Sequence, residues 1–213
     1  MRLFLAVNLP SDLRERIYAD AAPLRAIAPA VTWVRVEHLH MTVKFLGEVD
    51  GSRVDGLLSA LRTGLAAHDP FSLGFSGLGA FPDFRRPRVV WIGVRNDRAI
   101  AAVASDIEGI CESLGFARDE RAFNAHLTLG RVKRELAPGQ VRALEGEATS
   151  LVGMYDVDVR SIELVKSELG SHGPTHSILS SILLGARLGA GGESTGVSPG
   201  KADVRGRMSS RNF

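Results

Sequence analysis

Apolar positions recur along this chain at two different periods. Arg2-Leu-Phe-Leu-Ala-Val7 is a short apolar run stopped by Pro10, which predicts a strand. Ser11 is placed as a helix N-cap, and Leu13, Ile17 and Leu24 follow it, with Pro23 set to kink or end that helix. Val54, Leu57, Leu58, Leu61 and Leu65 form a second helical stripe. Ile100, Val103, Ile107, Ile110 and Leu114 form a third, capped by Asp97 and closed by Gly115. A fourth starts at Pro138, suited to a first helical turn, and carries Val141, Leu144 and Ala148. Between the stripes lie strand patterns at His40–Val43, Arg88–Gly93 and His126–Leu129. Further strands are expected around Phe71–Leu73 with Leu78, and around Val157–Val159 with Leu164.

These elements repeat. His40-Met-Thr-Val43 returns as His126-Leu-Thr-Leu129, an offset of 86. The same offset carries the first strand run onto Arg88–Gly93 and the Ser11 cap onto Asp97, and it brings the later helices and strands into correspondence. One match is within reach of chance, whereas five in register argue for related halves of about 2–80 and 88–166. Each half reads strand, helix, strand bearing His-x-Thr, helix, strand. The expected fold is α+β: two pseudo-symmetric lobes of mostly antiparallel sheet with outer helices, and the His-x-Thr strands facing a central cleft. Residues 81–87 form the expected crossing loop.

Composition narrows the setting. The 213 residues are 45% hydrophobic and 23% charged, an ordinary soluble globular balance. No uncharged apolar run approaches the ~18 residues of a membrane span, and the N-terminal run is too short for a signal peptide. Cys111, the single cysteine, excludes an internal disulfide and a cysteine-based zinc site, which points to a reducing, cytoplasmic setting. The net charge is +2, yet residues 187–213 hold five basic and two acidic side chains, so the rest of the chain is −1. A bilobal domain is therefore expected over residues 1–185. Residues 186–213 are expected to be a disordered basic tail, a dispensable terminus in preference to an RNA-attracting arm.

The repeated triplet carries the chemistry. Residues i and i+2 of a strand share a face, so His40 projects with Thr42 and His126 with Thr128. Two imidazoles can give and take protons near neutrality, and threonine hydroxyls can donate to phosphate oxygens. One histidine can deprotonate water while the other protonates a leaving oxygen, with no metal or other cofactor. A zinc set of His38, His40 and His126 is the weaker reading, since the His38/His40 pair is not repeated. Lys44 shares the His40 face if the strand is regular. Arg131 falls on the wrong parity unless Gly130 bends the strand back to the phosphate. His68 is expected near a helix C-terminus, His172 and His176 in a turn, and Trp33 and Phe84 as stacking candidates, Trp33 more readily as core.

The motifs Leu39-His-Met-Thr-Val-Lys-Phe-Leu-Gly47 and Phe123-Asn-Ala-His-Leu-Thr-Leu-Gly-Arg131 resemble the 2H phosphoesterase superfamily, specifically the RNA 2′,3′-cyclic phosphodiesterases historically called 2′-5′ RNA ligases. Arg2–Val7, Trp33-Val34, Trp91–Gly93, Ser167 and Gly173–His176 fit the same order, so the resemblance spans about residues 1–184. Two positions depart from the family: Ala125 stands where Pro is frequent, and His176 where Tyr is frequent. The resemblance implies metal-independent hydrolysis of a 2′,3′-cyclic phosphate to a 2′-phosphomonoester. It implies His40 as proton donor and His126 as proton acceptor, with Thr42 and Thr128 on the phosphate. Arg131 and Lys44 are candidate phosphate contacts on strand geometry alone, and for Arg131 a structural salt bridge is an equal alternative. The physics of the repeat leaves the two histidines formally alike. The expected partners are RNA ends or small cyclic nucleotides, bound by a monomer with few backbone contacts, without metal or membrane. The alternatives are 2′-5′ ligation at the same site and a non-catalytic module that binds RNA ends.

Overall fold

Leu3, Leu5 and Val7 alternate along the first apolar run with Phe4 and Ala6, and both sets are buried. A strand with a core on one side and a covered face on the other needs no polar alternation. In the computed structural model, which describes residues 1–147, 155–170 and 173–186, this run is β1 (Arg2–Asn8), interior to its sheet. Its odd-numbered residues enter the main core. Phe4 and Ala6 join Val165 in a small apolar cluster on the other face.

The chain continues through α1 (Ser11–Asp20), α2 (Ala22–Ile27), β2 (Thr32–Trp33), β3 (His40–Glu48), α3 (Val54–Leu65) and β4 (Phe71–Phe81). Next come β5 (Val89–Arg95), α4 (Arg98–Ser113), β6 (His126–Arg131), α5 (Pro138–Gly146), β7 (Tyr155–Val159), β8 (Ser161–Gly170) and β9 (Gly173–Leu183). Pro23 sits in the first turn of α2, and the helix expected after Ser11 is two pieces broken just before it. Pro10 rather than Ser11 holds the cap position of α1. Gly115 takes φ +78 directly after α4, the left-handed conformation that ends a helix most readily with glycine. Ala148, His172 and the tail from residue 187 onward lie outside the described residues.

The fold is α+β, with two antiparallel sheets ordered β3-β1-β8-β9 and β2-β6-β5-β4-β7. Each His-x-Thr strand lies beside the first strand of its own half, β3 on β1 and β6 on β5. The later strands are exchanged: β4 pairs with β5, and β8 pairs with β1. The exchange ties both halves into one continuous core. Leu57, Leu58, Leu61 and Leu65 of α3 are buried, as are Ile100, Val103, Ile107 and Cys111 of α4. The two helices meet closely, since a Cβ on Gly64 would stand 2.4 Å from Ile110 Cδ1. Among the described residues, no helix is long and apolar enough to cross a membrane.

A single offset of 86 does not hold through both strand pairs. Asn8 pairs with His40 and Ala6 with Thr42, while Gly93 pairs with His126 and Trp91 with Thr128. The first strands are thus related by 85 residues and the histidine strands by 86. Adding 86 to Ala6 lands on Ile92, which faces the core. The residue that stands where Ala6 does is Trp91, and a one-residue slip in a strand exchanges its faces.

Candidate active site

Strand parity builds the two halves of the site in the same way. Met41 and Val43 are buried in the core, and so are Leu127 and Leu129. His40 and Thr42, and likewise His126 and Thr128, are half-buried on the opposite face. β3 is the edge of its sheet and runs close to β6 of the other, and the Arg131 charge acts on both His40 and His126. Among the described residues, neither threonine hydroxyl has a protein hydrogen-bond partner. Both are available to a ligand.

The two imidazoles are held identically. His40 Nδ1–H donates to the carbonyl of His38 at 2.7 Å, and His126 Nδ1–H donates to the carbonyl of Asn124 at 2.7 Å. A carbonyl oxygen only accepts, so in each ring the Nδ1 carries the hydrogen. Nε2 is therefore the reactive nitrogen in both: a base when the ring is neutral and an acid when it is protonated. A residue two places upstream fixes each tautomer, and the strand backbone supplies it in both halves.

Their surroundings differ. The His40 ring stacks on Phe4 at 4.9 Å and meets the edge of His176 at 5.2 Å. His126 stands edge-on to Phe81 at 5.0 Å, with Trp91 at 6.2 Å. Gly79 makes room for that indole, since a Cβ there would lie 2.2 Å from the Trp91 ring. Burial is the main cause that lowers the pKa of His40, to about 4, with further lowering from His176, His38 and Arg131 against the His38 hydrogen bond. Burial also lowers that of His126, assisted by Arg131. Both rings are consequently neutral at pH 7 in the free protein.

Two β-bulges decide which cations reach the site. Along β3, Thr42 pairs with Ala6 but Lys44 pairs with Leu5, so Val43 is the extra residue and the parity reverses after it. Lys44 therefore does not share the His40 face as a regular strand would have it. It is 2% exposed, and its Nζ donates to Glu108 Oε2 at 2.8 Å and to the carbonyl of Ala117 at 3.1 Å, with Asp119 at 3.6 Å. The residue turned to the cleft side is Phe45, which leans on Phe4 at 6.0 Å. Along β6 the shift falls between Val90 and Trp91, with Thr128 opposite Trp91 and Gly130 opposite Val90, so Leu129 is the extra residue. The same reversal that removes Lys44 brings Arg131 back. Arg131 is exposed and acts electrostatically on both His40 and His126. Among the described residues, no carboxylate lies within ion-pair distance of it.

The role of Lys44 gives a direct expectation. Lys44→Met leaves the partly buried Glu108 carboxylate with the Asp119 N–H and the Arg118 charge but without its direct ion pair, so it lowers folding stability by about 3 kcal/mol, the lower end for breaking a buried pair. KM for a small cyclic nucleotide stays at its wild-type value. Denaturant melts and steady-state kinetics on the same preparation check both halves, and a raised KM with unchanged stability would return Lys44 to the site.

Other candidates resolve differently. His176 is on β9, not in a turn, and its ring touches Phe4, His38 and His40. His38 precedes β3 in a short 3₁₀ turn, Val36–His38. With Phe4, Asn8 and Arg14 these two line a pocket of about 140 Å³ beside His40. His68 lies just past α3, and its Nε2 bonds Asp106 at 2.7 Å. Trp33 donates Nε1–H to the Ala28 carbonyl and packs on the core, and Phe84 packs there too. Among the described residues, no group of three or more His, Cys, Asp or Glu side chains is set to hold a metal ion. Sequence reasoning missed Phe4, Phe81 and Trp91 as walls of the two histidines. Period-two parity marks Phe4, but Trp91 needed the correct offset of 85.

The chain is similar in sequence and in fold to known proteins. The family described as LigT like phosphoesterase matches twice in succession, over residues 7–91 and 92–176. The chain is 35% identical over 185 residues to a protein of Archaeoglobus fulgidus named RNA 2′,3′-cyclic phosphodiesterase, covering 84% of this chain and 98% of that one. A protein of the same name from Methanothermobacter thermautotrophicus is 33% identical over 177 residues, with 83% and 95% covered. The crystal structure of E. coli LigT complexed with 3′-AMP superposes with a TM-score of 0.69 at 26% identity, covering 86% of this chain and 97% of that one.

Proposed function

This chain belongs to the LigT like phosphoesterase family of the 2H phosphoesterase superfamily, and from that membership we propose that it is an RNA 2′,3′-cyclic phosphodiesterase whose two histidines do the proton transfers. The single observation that carries the reading is the matched Nδ1–H···O=C bond in both halves, which leaves two Nε2 atoms, one per His-x-Thr strand, for acid and base work.

In this reading a water oxygen attacks phosphorus opposite the 3′ oxygen. His126 Nε2 takes the proton of that water as the P–O bond forms. The P–O3′ bond breaks, and His40 Nε2–H gives its proton to the departing 3′ oxygen. The product is a 2′-phosphomonoester with a free 3′-hydroxyl. Thr42 and Thr128 donate to the non-bridging oxygens, and Arg131 offsets the charge gathering on them. The step leaves His40 neutral and His126 protonated, and exchange with solvent restores the starting pair. Because His40 is neutral at pH 7 in the free protein, its proton is recruited by the ligand: an anionic phosphate beside Nε2 favours the imidazolium. The pocket beside His40 offers room for part of the terminal nucleoside.

The test is hydrolysis of a nucleoside 2′,3′-cyclic phosphate by purified protein in excess chelator, with the product position read by phosphorus NMR. Full turnover to the 2′-phosphate is expected. A 3′-phosphate product, or activity abolished by EDTA and restored by zinc, would overturn the reading.

A further inference from the structure

The body of this protein is weakly acidic, at −1 without residues 187–213, but its charge is unevenly distributed. Residues 81–88 carry Arg85, Arg86 and Arg88 against one acid, Asp83; residues 131–135 carry Arg131, Lys133 and Arg134 against one acid, Glu135. All six cations are exposed. The backbone holds the two segments side by side: Val89 pairs with Arg131, Val132 N–H donates to the Arg88 carbonyl at 2.9 Å, and Arg88 N–H donates to the Phe81 carbonyl at 2.7 Å. One small surface thus has a net charge of +4, and the remaining body is −5.

The acids in this surface do little to neutralise it. Asp83 accepts from the backbone N–H groups of Arg85 and Arg86, which sets the turn, and it pairs with Arg85 alone. Among the described residues, Arg86, Arg88, Lys133 and Arg134 have no carboxylate within ion-pair distance. The surface is also continuous with the site. Arg131 belongs to both, and Phe81, where the first segment starts, packs against the His126 ring.

We infer that the strip formed by Arg86, Arg88, Lys133 and Arg134 is a binding track for single-stranded RNA, holding the phosphates on the 5′ side of the reacting end. The inference rests on the phosphodiesterase reading for the position of that end. A chain with one phosphate per nucleotide, anchored by its last phosphate at Arg131, meets a row of unpaired cations that begins there. A lipid surface fits less well, because among the described residues the exposed large apolar side chains of Met1, Phe45, Leu169, Ile178, Leu179 and Leu183 lie on or beside strands of the other sheet, and Phe123 alone precedes a strand of this one. The expectation of few backbone contacts, drawn from the overall charge, gives way to the local distribution.

The experiment compares a pentanucleotide with a single nucleotide, each ending in a 2′-phosphate for binding by fluorescence anisotropy and in a 2′,3′-cyclic phosphate for turnover. Each phosphate contact on a single strand contributes about 0.7 to the slope of log affinity against log salt. The pentanucleotide slope is therefore expected to be steeper than that of the mononucleotide by about 1.4 or more. The triple variant Arg86→Glu, Lys133→Glu, Arg134→Glu raises Kd and KM for the pentanucleotide at least about tenfold and leaves mononucleotide kinetics unchanged. The control Arg62→Glu, Arg98→Glu, Arg160→Glu makes the same change of net charge elsewhere and shifts pentanucleotide binding by no more than about twofold at 0.15 M salt. Equal salt slopes for the two lengths, or equal losses from both triples, would overturn the track. Loss of pentanucleotide binding in the first triple, with neither cyclic substrate hydrolysed by the intact protein, would support the track and count against the phosphodiesterase reading instead.

Discussion

His40→Ala and His126→Ala each lower kcat on a nucleoside 2′,3′-cyclic phosphate by ~10²–10⁴-fold, the range for a positioned acid or base. The effect falls on kcat because each proton moves only as bonds to phosphorus form and break, so KM changes little. Thr42→Ala and Thr128→Ala have smaller effects, since each removes one hydrogen bond to a phosphate oxygen. The double histidine variant is expected to be little worse than the poorer single variant, because the pair works as a unit. Each ring is an aromatic neighbour in its half, so melting temperatures of the variants separate lost chemistry from lost packing. Near-normal kcat in either folded single variant would refute the paired role.

Arg131→Ala is the second large effect. A guanidinium facing the developing charge on phosphate oxygens is worth ~10²–10³-fold in kcat/KM when removed, on the scale of an oxyanion-hole donor. Arg131→Lys recovers part of this, because the ammonium keeps the charge but not the fork. The pH profile supplies an independent readout. In the free protein both histidine pKa values are lowered, so both limbs of the kcat/KM bell lie below the ordinary imidazole value of about 6.5. Activity rises as the pair loses its first proton and falls as it loses the second. Burial is the larger cause of lowering at both rings, and the Arg131 charge is an additional one. Removing that charge moves both limbs towards higher pH, while burial, the larger cause, still lowers them. A profile that stays in place in Arg131→Ala would mean that Arg131 does not face the histidines.

What the sequence discloses and what it hides follow from the same geometry. The helices were legible because their stripes are long: α4 buries Ile100, Val103 and Ile107 at the spacing read from the chain. The His-x-Thr pairs were legible because a strand face repeats every two residues, and both triplets lie before the bulges. Lys44 and Arg131 lie after them. One extra residue reversed both, turning Lys44 onto Glu108 and Arg131 towards the histidines, and a bulge leaves no residue-level signal in Val43 or Leu129. The exchange of β4 and β8 between halves was hidden as well, since both strands look alike in pattern and only sheet pairing distinguishes their partners. His176 read as a turn residue beside Gly173-Pro174, yet β9 extends from Gly173 itself and carries the ring against His40.

The central claim is that His40 protonates the departing 3′ oxygen while His126 activates water. It is tested most directly with a cyclic substrate whose 3′ bridging oxygen is replaced by sulfur, because a thiolate leaves without needing a proton. On this substrate His40→Ala is expected to recover most of its lost kcat, and His126→Ala to remain as impaired as on the oxygen substrate. Recovery in His126→Ala instead, or in neither variant, would contradict the assignment.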